Sequence, residues 1–189
     1  FSGSELDKQV VAAELDKACC NTGFFAITGH GVDEEVITRT RQAVVDFFAL
    51  PLEEKLRVER PPERVSRGYN RFMDRSLSYS IGKEAPPDLQ EAFAFGPEEF
   101  TGEDWIKDDP STAMMAPNHW PDNPPTFHAT MQEYANAMKF LGDRVLDIIA
   151  TSLNVERAYF DDKYDHQSSV SRVVRYPAQT ETADDGQLR

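Results

Sequence analysis

Arginines beside tyrosines are the residues in this sequence whose types and spacing first suggest chemistry. One such group surrounds Gly68-Tyr69, and its members are Arg64, Arg67, Arg71 and Arg75. A guanidinium group can hold a carboxylate through two parallel hydrogen bonds, so this group is typical of a surface that captures a carboxylate. The alternative is that these arginines pair at the surface with the many Asp and Glu residues of the chain. The residues alone leave both interpretations open.

A second group lies near the end of the chain, where Arg172, Arg175 and Tyr176 alternate with valines. The β-branched content of residues 169–176, followed directly by a proline, predicts a strand that runs to the edge of a sheet. Side chains alternate between the two faces of a strand, so Tyr176 shares a face with Val174 and Arg172. A tyrosine hydroxyl on an inner face needs a hydrogen-bond partner, and we therefore predict a polar contact for Tyr176.

Common sequence signatures of catalysis are absent. The chain has no phosphate-binding Gly-x-x-x-x-Gly-Lys-Ser/Thr loop, no Gly-x-Gly-x-x-Gly, no Gly-x-Ser-x-Gly and no His-Glu-x-x-His. The densest set of potential metal ligands is Asp161, Asp162, Asp165 and His166. Because these residues lack the alternating oxygen spacing of a cation-binding loop, we interpret them as helix caps or solvated side chains. His30, in a Gly-His-Gly turn, suits either a ligand or catalytic role, since loops after strands carry function, or a hydrogen bond within the turn, and we predict the hydrogen bond. We predict no metal ligand in this chain.

Composition excludes several classes of partner. The 189 residues contain 20 Lys and Arg against 33 Asp and Glu, a formal net charge of −13, which argues against nucleic-acid binding. The uncharged apolar stretches are far shorter than a membrane helix requires, and residues 1–20 are unlike a signal peptide. Cys19 and Cys20 are adjacent and form no disulfide framework. Together these features predict a cytoplasmic protein that acts without nucleic acid or membrane.

Hydrophobic periodicity predicts the elements that must position these residues. Helices are predicted over residues 5–20 with Ser4 as N-cap, from Asp33 to about Leu50, from Pro51 onward for a short stretch, over 126–153 and near 156–160. Buried or half-buried strands are predicted at residues 23–29, 90–96 and 169–176, with a weaker strand near 76–81. The remainder of 61–90 and the proline-rich stretch 97–125 are predicted to be loops.

The predicted fold class is mixed α and β. Three strands and one long amphipathic helix present more apolar surface than they can bury among themselves, so we expect the fold to be incomplete in this chain. We treat residues 1–189 as a single unit with three parts. These are an N-terminal helix, strand and loop region at 1–125, a long supporting helix and short helix at 126–168, and the first part of a sheet core at 169–189.

Six short segments in fixed order also resemble a known family. They are Gly23-Phe24-Phe25, His30-Gly31-Val32, Phe47-Phe48-Ala49-Leu50-Pro51, Arg67-Gly68-Tyr69, Glu91-Ala92-Phe93 and Arg172-Val173-Val174-Arg175-Tyr176-Pro177. In order and spacing they resemble the N-terminal half of the isopenicillin N synthase-like, 2-oxoglutarate-dependent non-haem Fe(II) oxygenases. The resemblance implies that the helical region leads into the first strands of a double-stranded β-helix, or jelly roll, with the 126–153 helix packed along its outside.

The resemblance also implies cofactors that this chain does not hold. Members of the family use Fe(II), 2-oxoglutarate as co-substrate and O2, with iron bound by a His-x-Asp and a later His. Those ligands follow the Tyr-Pro strand in the family, so we expect them beyond residue 189 and expect residues 1–189 alone to be inactive.

Site residues carried over by the resemblance are few. Tyr176 matches the tyrosine whose hydroxyl binds the carboxylate of 2-oxoglutarate or of the substrate, and Arg67 and Tyr69 match positions that line the mouth of the substrate pocket. An arginine at that mouth suits a small-molecule substrate that bears a carboxylate. Val174 stands where plant members usually carry Asn.

The function implied is that of the N-terminal half of an Fe(II)- and 2-oxoglutarate-dependent dioxygenase that hydroxylates, desaturates or cyclises a small molecule. One alternative is an isopenicillin N synthase-type oxidase that uses no 2-oxoglutarate. Another is a metal-free binding module on the same scaffold. The sequence leaves the substrate and the oligomeric state open.

Overall fold

A computed structural model describes residues 3–61, 65–74, 86–99, 106, 109–164 and 168–178 of the chain. The α-helices are α1 (Glu5–Asn21), α2 (Glu34–Ala49), α3 (Leu52–Leu56) and α4 (Phe127–Ser152), and two 3-10 helices span Pro110–Met115 and Arg157–Lys163. The strands are β1 (Gly68–Asn70), β2 (Glu91–Phe95) and β3 (Ser171–Arg175). Helices followed by a small antiparallel sheet confirm the predicted mixed α and β class.

Local sequence signals account for the ends of α1. The Ser4 hydroxyl accepts a hydrogen bond from the Asp7 backbone N–H, and the Asp7 carboxylate accepts one from the Ser4 N–H at 2.8 Å. This reciprocal pair satisfies amide groups that the first helical turn leaves without partners. At the other end the Gly23 N–H donates to the Ala18 carbonyl, with Gly23 at a φ of +74° that favours glycine. The predicted start and end of this helix are confirmed.

The long helix α4 is confirmed as well. It has 26 residues, which at 1.5 Å per residue makes it about 39 Å long. Its Phe127, Met131 and Ala150 are almost completely buried, while Phe140 is 65% exposed. The three-to-four-residue spacing of its apolar side chains had predicted a helix of this length.

The strands form one three-stranded antiparallel sheet in the order β1-β2-β3. Tyr69 pairs with Phe93, which pairs in turn with Val173, so these three side chains lie in one row on one face. The predicted strands at 90–96 and 169–176 are confirmed, and β3 lies at an edge of this sheet. β1 was missed because three residues are too few to show a period.

One predicted strand is wrong. Residues 24–27 adopt no strand, and the side chain of Phe24 is 85% exposed. The apolar run matched a strand buried on both faces, but a strand forms only where another strand accepts its hydrogen bonds, and none of the described strands pairs with this segment. The weaker strand predicted near 76–81 lies outside the described residues.

The chain divides into two compact units. One consists of Phe1–Arg39 and Thr130–Gln167, and the other of Thr40–Ala129 and Ser168–Arg189. The predicted division at residues 125 and 168 stays a prediction. Among the helices of the described residues, none is both long enough and apolar enough to cross a membrane.

An aromatic core fills the second unit. Phe47 of α2 lies with its ring centroid 5.1 Å from Phe93 and 4.8 Å from Phe127, and Tyr69 lies 6.1 Å away. All four side chains are completely buried. Aromatic rings at these separations bury large apolar areas and pack with defined geometry. This core fixes one face of the sheet against α2.

Candidate functional site

The pairing register of the sheet separates its side chains into two faces. The first, called the core face, packs on the aromatic core and carries Tyr69, Glu91, Phe93, Phe95, Val173 and Arg175. The second, called the alanine face, carries Gly68, Asn70, Ala92, Ala94, Arg172 and Val174. Because side chains alternate along each strand, every functional residue predicted on this sheet belongs to one face or the other.

A cluster of charged and polar groups surrounds Glu91 on the core face. The Glu91 carboxylate accepts hydrogen bonds from Lys55 Nζ at 2.7 Å, Tyr69 Oη at 2.6 Å and Arg175 Nη1 at 2.7 Å. Lys55 Nζ and Arg175 Nη1 also donate to the Phe48 carbonyl, at 3.3 and 3.4 Å. Glu91 and Lys55 are buried, at 3% and 6% exposure. The cluster therefore ties α2, α3 and all three strands together.

Two pKa values follow from this burial. Burial by itself would raise the pKa of the Glu91 carboxyl, but the hydrogen bonds from Lys55, Tyr69 and Arg175 outweigh it and hold that pKa below its ordinary value. Burial, reinforced by the bond to Glu91, raises the pKa of the Tyr69 hydroxyl. Glu91 is thus an anion and Tyr69 a neutral donor at neutral pH, which is the arrangement the cluster requires.

Arg67 is buried, whereas a residue that binds a carboxylate at a surface is expected to be exposed. It is completely buried, and its guanidinium donates to the backbone carbonyls of Ala116 at 2.9 Å, Ser66 at 2.8 Å and Met114. Gly96 lies so close to this guanidinium that a Cβ there would overlap it. The contacts account for Arg67 as a clamp between the start of β1 and the 110–116 segment.

Tyr69 is likewise buried, with no exposed surface, and its hydroxyl is used by Glu91. The observed contacts of Arg67 and Tyr69 are therefore with the fold itself. A direct part in substrate binding stays a prediction for both residues. The sequence could not distinguish these cases, because an arginine that binds carbonyls and one that binds a ligand have the same neighbours along the chain.

The other arginines near Tyr69 support the surface-pairing alternative where they are described. Arg71 forms a two-pronged ion pair with Glu59, in which the second hydrogen bond measures 2.8 Å. Arg60 pairs with Asp74 at 3.0 Å. Arg64 and Arg75 lie outside the described residues. For Arg71 the structure therefore favours surface pairing, and carboxylate capture by the group as a whole stays a prediction.

The alanine face differs from the core face in its chemistry. Its Ala92 and Ala94 are buried small residues, and Asn70, opposite Ala92, is only 6% exposed. The Asn70 amide Nδ2 donates to the Gly68 carbonyl at 3.4 Å, but Asn70 Oδ1 is buried and has no hydrogen-bond partner among the described residues. Gln90, two residues before Ala92 in the chain, likewise has a buried Oε1 to which no residue in the described part of the chain donates.

Tyr176 directly follows β3 and is 51% exposed. By alternation it falls on the alanine face with Val174 and Arg172, and continuing the register by one residue places it opposite Gln90. Arg172 is exposed and forms no ion pair with any described residue. Tyr176 is therefore exposed just beyond the end of β3, and the contact predicted for its hydroxyl stays a prediction.

The part of the chain that the structure describes contains no cluster of three or more His, Cys, Asp or Glu side chains able to hold a metal ion. Asp162 pairs with Lys163 at 2.7 Å, while Asp165 and His166 lie outside the described residues. His30 Nδ1 accepts a hydrogen bond from the Val32 N–H at 3.1 Å, which confirms its predicted role in the turn.

Sequence reasoning missed Lys55, Glu91 and Asn70 as polar residues of consequence. A signal for Glu91 existed, since a glutamate at the start of the apolar strand Glu-Ala-Phe-Ala-Phe must find a partner when the strand is buried. No comparable signal marks Asn70, because Asn beside Gly and Tyr is equally typical of an exposed turn.

Comparison with known proteins gives one match to a family. Residues 1–123 match the family described as "non-haem dioxygenase in morphine synthesis N-terminal". Relatives include the homoarginine-6-hydroxylase 2-ODD-C23.1 of Arabidopsis thaliana, 34% identical over 88% of this chain and 48% of that protein. A 2-oxoglutarate-Fe(II) type oxidoreductase of Emericella nidulans is 32% identical over 94% of this chain and 50% of that protein.

Solved structures agree with the sequence comparison. A putative 2OG-Fe(II) oxygenase family protein from Caulobacter crescentus superimposes with a TM-score of 0.75 at 28% identity, over 95% of this chain and 55% of that one. The chain thus spans about half the length of the curated relatives it matches.

Proposed function

Because this chain belongs to the 2-oxoglutarate- and Fe(II)-dependent oxygenase family, we propose that it is the N-terminal part of a dioxygenase that oxidises a small molecule by hydroxylation, desaturation or cyclisation. The observation that carries the proposal is the match of residues 1–123 to a family of N-terminal dioxygenase regions. This chain covers about half of the length of each relative, which supports the proposal that it is part of a longer protein. The product of the whole reading frame that contains this chain is called the full-length protein below.

The described residues do not fit an iron centre, since no cluster of suitable side chains occurs among them. We therefore assign the ligands of Fe(II) and the principal contacts of 2-oxoglutarate to residues beyond 189. On this proposal residues 1–189 alone are inactive with O2 and 2-oxoglutarate. The contribution of this chain is a sheet face that meets the substrate and the helices that hold this sheet.

Tyr176 is the residue of this chain that we propose contacts 2-oxoglutarate or a substrate carboxylate. This exposed residue follows an edge strand that Arg175 anchors to Glu91 from the opposite face. A neutral hydroxyl donor adds a hydrogen bond to a carboxylate without a further buried charge. For a substrate that bears a carboxylate, Arg172 is the exposed cation on the same face. The place of Arg67 and Tyr69 at the mouth of the substrate pocket is part of the same proposal, in which their buried side chains support the mouth through their contacts with the fold.

Anaerobic titration of the full-length protein with Fe(II) and 2-oxoglutarate tests the proposal. A visible charge-transfer absorption that requires both additions is expected, followed by 2-oxoglutarate-dependent oxygen uptake once O2 is admitted. Oxygen uptake that ignores 2-oxoglutarate would instead support the isopenicillin N synthase-type oxidase. Absence of both signals would support the metal-free binding module.

Substitution Tyr176→Phe tests the role of the hydroxyl. Loss of one hydrogen bond to a carboxylate should weaken 2-oxoglutarate binding about 3- to 10-fold, measured as the midpoint of the anaerobic titration. Tyr164→Phe is the matched control, because Tyr164 is 53% exposed but lies outside the sheet. Equal midpoints for wild type and Tyr176→Phe would remove Tyr176 from the site.

A cytoplasmic location and a small-molecule partner, without nucleic acid or membrane, are parts of the same proposal. They are supported by the two exposed, unbridged cysteines Cys19 and Cys20 and by the net charge of −13.

A further inference from the structure

We propose that the alanine face binds a substrate that offers N–H donors, with Asn70 Oδ1 and Gln90 Oε1 as the acceptors. This inference rests on the proposed function and deepens it, since it names the class of substrate that this end of the pocket takes. Amide, imide, amine and guanidinium groups are donors of this kind.

The first step is the unpaired state of Asn70. The residue is only 6% exposed, yet its Oδ1 accepts no hydrogen bond from any residue that the structure describes. Buried amide oxygens in folded proteins nearly always have a partner, and each exception calls for an explanation. Rotating the Asn70 amide by half a turn would exchange its oxygen and nitrogen. The Gly68 carbonyl, 3.4 Å from the present Nδ2, needs a donor at that position, so the orientation with Oδ1 unpaired is the better one.

The second step is that Gln90 repeats the same deficit on the same face. Its Nε2 donates to Asp88 Oδ2 at 3.4 Å, and its buried Oε1 has no partner among the described residues. Gln90 is two residues before Ala92, which is directly opposite Asn70, so the two side chains are diagonal neighbours across β1 and β2. Two acceptors at neighbouring positions suit a ligand with two N–H groups better than a single hydroxyl.

The third step is the chemistry around the acceptors. Ala92 and Ala94 on the central strand have small side chains, and the same face carries the exposed Arg172 on β3. We propose that the ligand lies over these alanines. Acceptors left unpaired by the fold discriminate strongly for a ligand that supplies their donors.

The test measures binding of four probes to the full-length protein by calorimetry, in the absence of added metal. L-homoarginine, uracil and hexanamide carry guanidinium, imide and amide N–H groups, and heptanoate carries none. At least one of the first three should bind the wild type, and Asn70→Leu and Gln90→Leu should each weaken that binding by roughly 10- to 100-fold. Heptanoate binding should change less than twofold.

A matched control separates a local effect from a general one. Gln132 of α4 has a buried, unpaired Nε2 as well, but it belongs to the other compact unit. Gln132→Leu removes an equally orphaned amide and should leave probe affinity as it is in the wild type.

The outcomes are distinct from those of the proposed function. Binding of none of the N–H probes, or equal affinity in wild type, Asn70→Leu and Gln90→Leu, would overturn the inference even if the Fe(II) and 2-oxoglutarate titration succeeds. Failure of that titration would overturn the proposed function irrespective of probe binding.

Discussion

The two faces of the sheet treat buried polar groups in opposite ways. On the core face Glu91 accepts three hydrogen bonds, from Lys55, Tyr69 and Arg175. On the alanine face Asn70 is buried to a similar extent, but its Oδ1 accepts no hydrogen bond from the described part of the chain. The two side chains are only one residue apart in the register, because Asn70 pairs with Ala92 and Glu91 precedes Ala92.

This difference separates stabilisation from recognition. A buried acceptor without a partner costs about 1–3 kcal/mol, whereas a fully paired one stabilises the fold modestly. Natural proteins place such local violations mainly at functional sites. The core face therefore holds the strands in position, and the alanine face keeps an acceptor for a group that the fold does not supply.

The largest effect on stability is expected from substitution of Glu91 on the core face. Glu91→Ala leaves Lys55, at 6% exposure, and its neighbour Arg175 without their carboxylate, and should lower the free energy of unfolding by about 3–5 kcal/mol. Urea-induced unfolding of the full-length protein measures this loss. Glu133→Ala, which removes an exposed pair with Arg39, should cost about 1 kcal/mol or less. Equal losses for the two variants would contradict the assigned role of the cluster.

Acid should weaken the same cluster to a smaller extent. The folded pKa of Glu91 lies below its ordinary value of 4.5, so its contribution to stability is complete above about pH 4.5 and is lost as pH falls through the lowered folded pKa. Thermal unfolding temperatures between pH 3 and 7 should therefore fall steeply at the acid end. Glu91→Gln should flatten this dependence. An unchanged slope in Glu91→Gln would show that other carboxyls carry it.

The smallest effect on stability is expected on the other face. Asn70→Leu removes an acceptor without a partner among the described residues together with the 3.4 Å hydrogen bond from Nδ2 to the Gly68 carbonyl, and because these two effects oppose each other the free energy of unfolding should change by less than about 1 kcal/mol. The same urea titration measures it. A loss above about 1 kcal/mol would mean that Asn70 serves the fold, and the contrast between the two faces would disappear.

Much of the fold was predictable from local signals. The capping pair of Ser4 and Asp7, the glycine after α1 and the regular spacing in α4 each act within a few residues, so the sequence carries them directly. The apolar run at 24–27 was mispredicted because a strand depends on a partner that hydrophobicity does not reveal.

The candidate site was only partly predictable. The motif order identified the family, and alternation along residues 172–176 placed Tyr176 and Arg172 on one face, as the register agrees. The burial of Arg67 and Tyr69 was not predictable, nor was the unpaired oxygen of Asn70. Each of these depends on which backbone carbonyl or carboxylate lies nearby in space.

By itself the sequence determined the family, the helices, the acidic charge and the absence of familiar catalytic motifs, since these follow from residue identity and short-range spacing. Only the tertiary structure decided which polar groups are paired. Arg67 meets the Ala116 carbonyl across 49 residues and Glu91 meets Arg175 across 84, and whether a buried polar atom finds a partner is fixed by such long-range approaches.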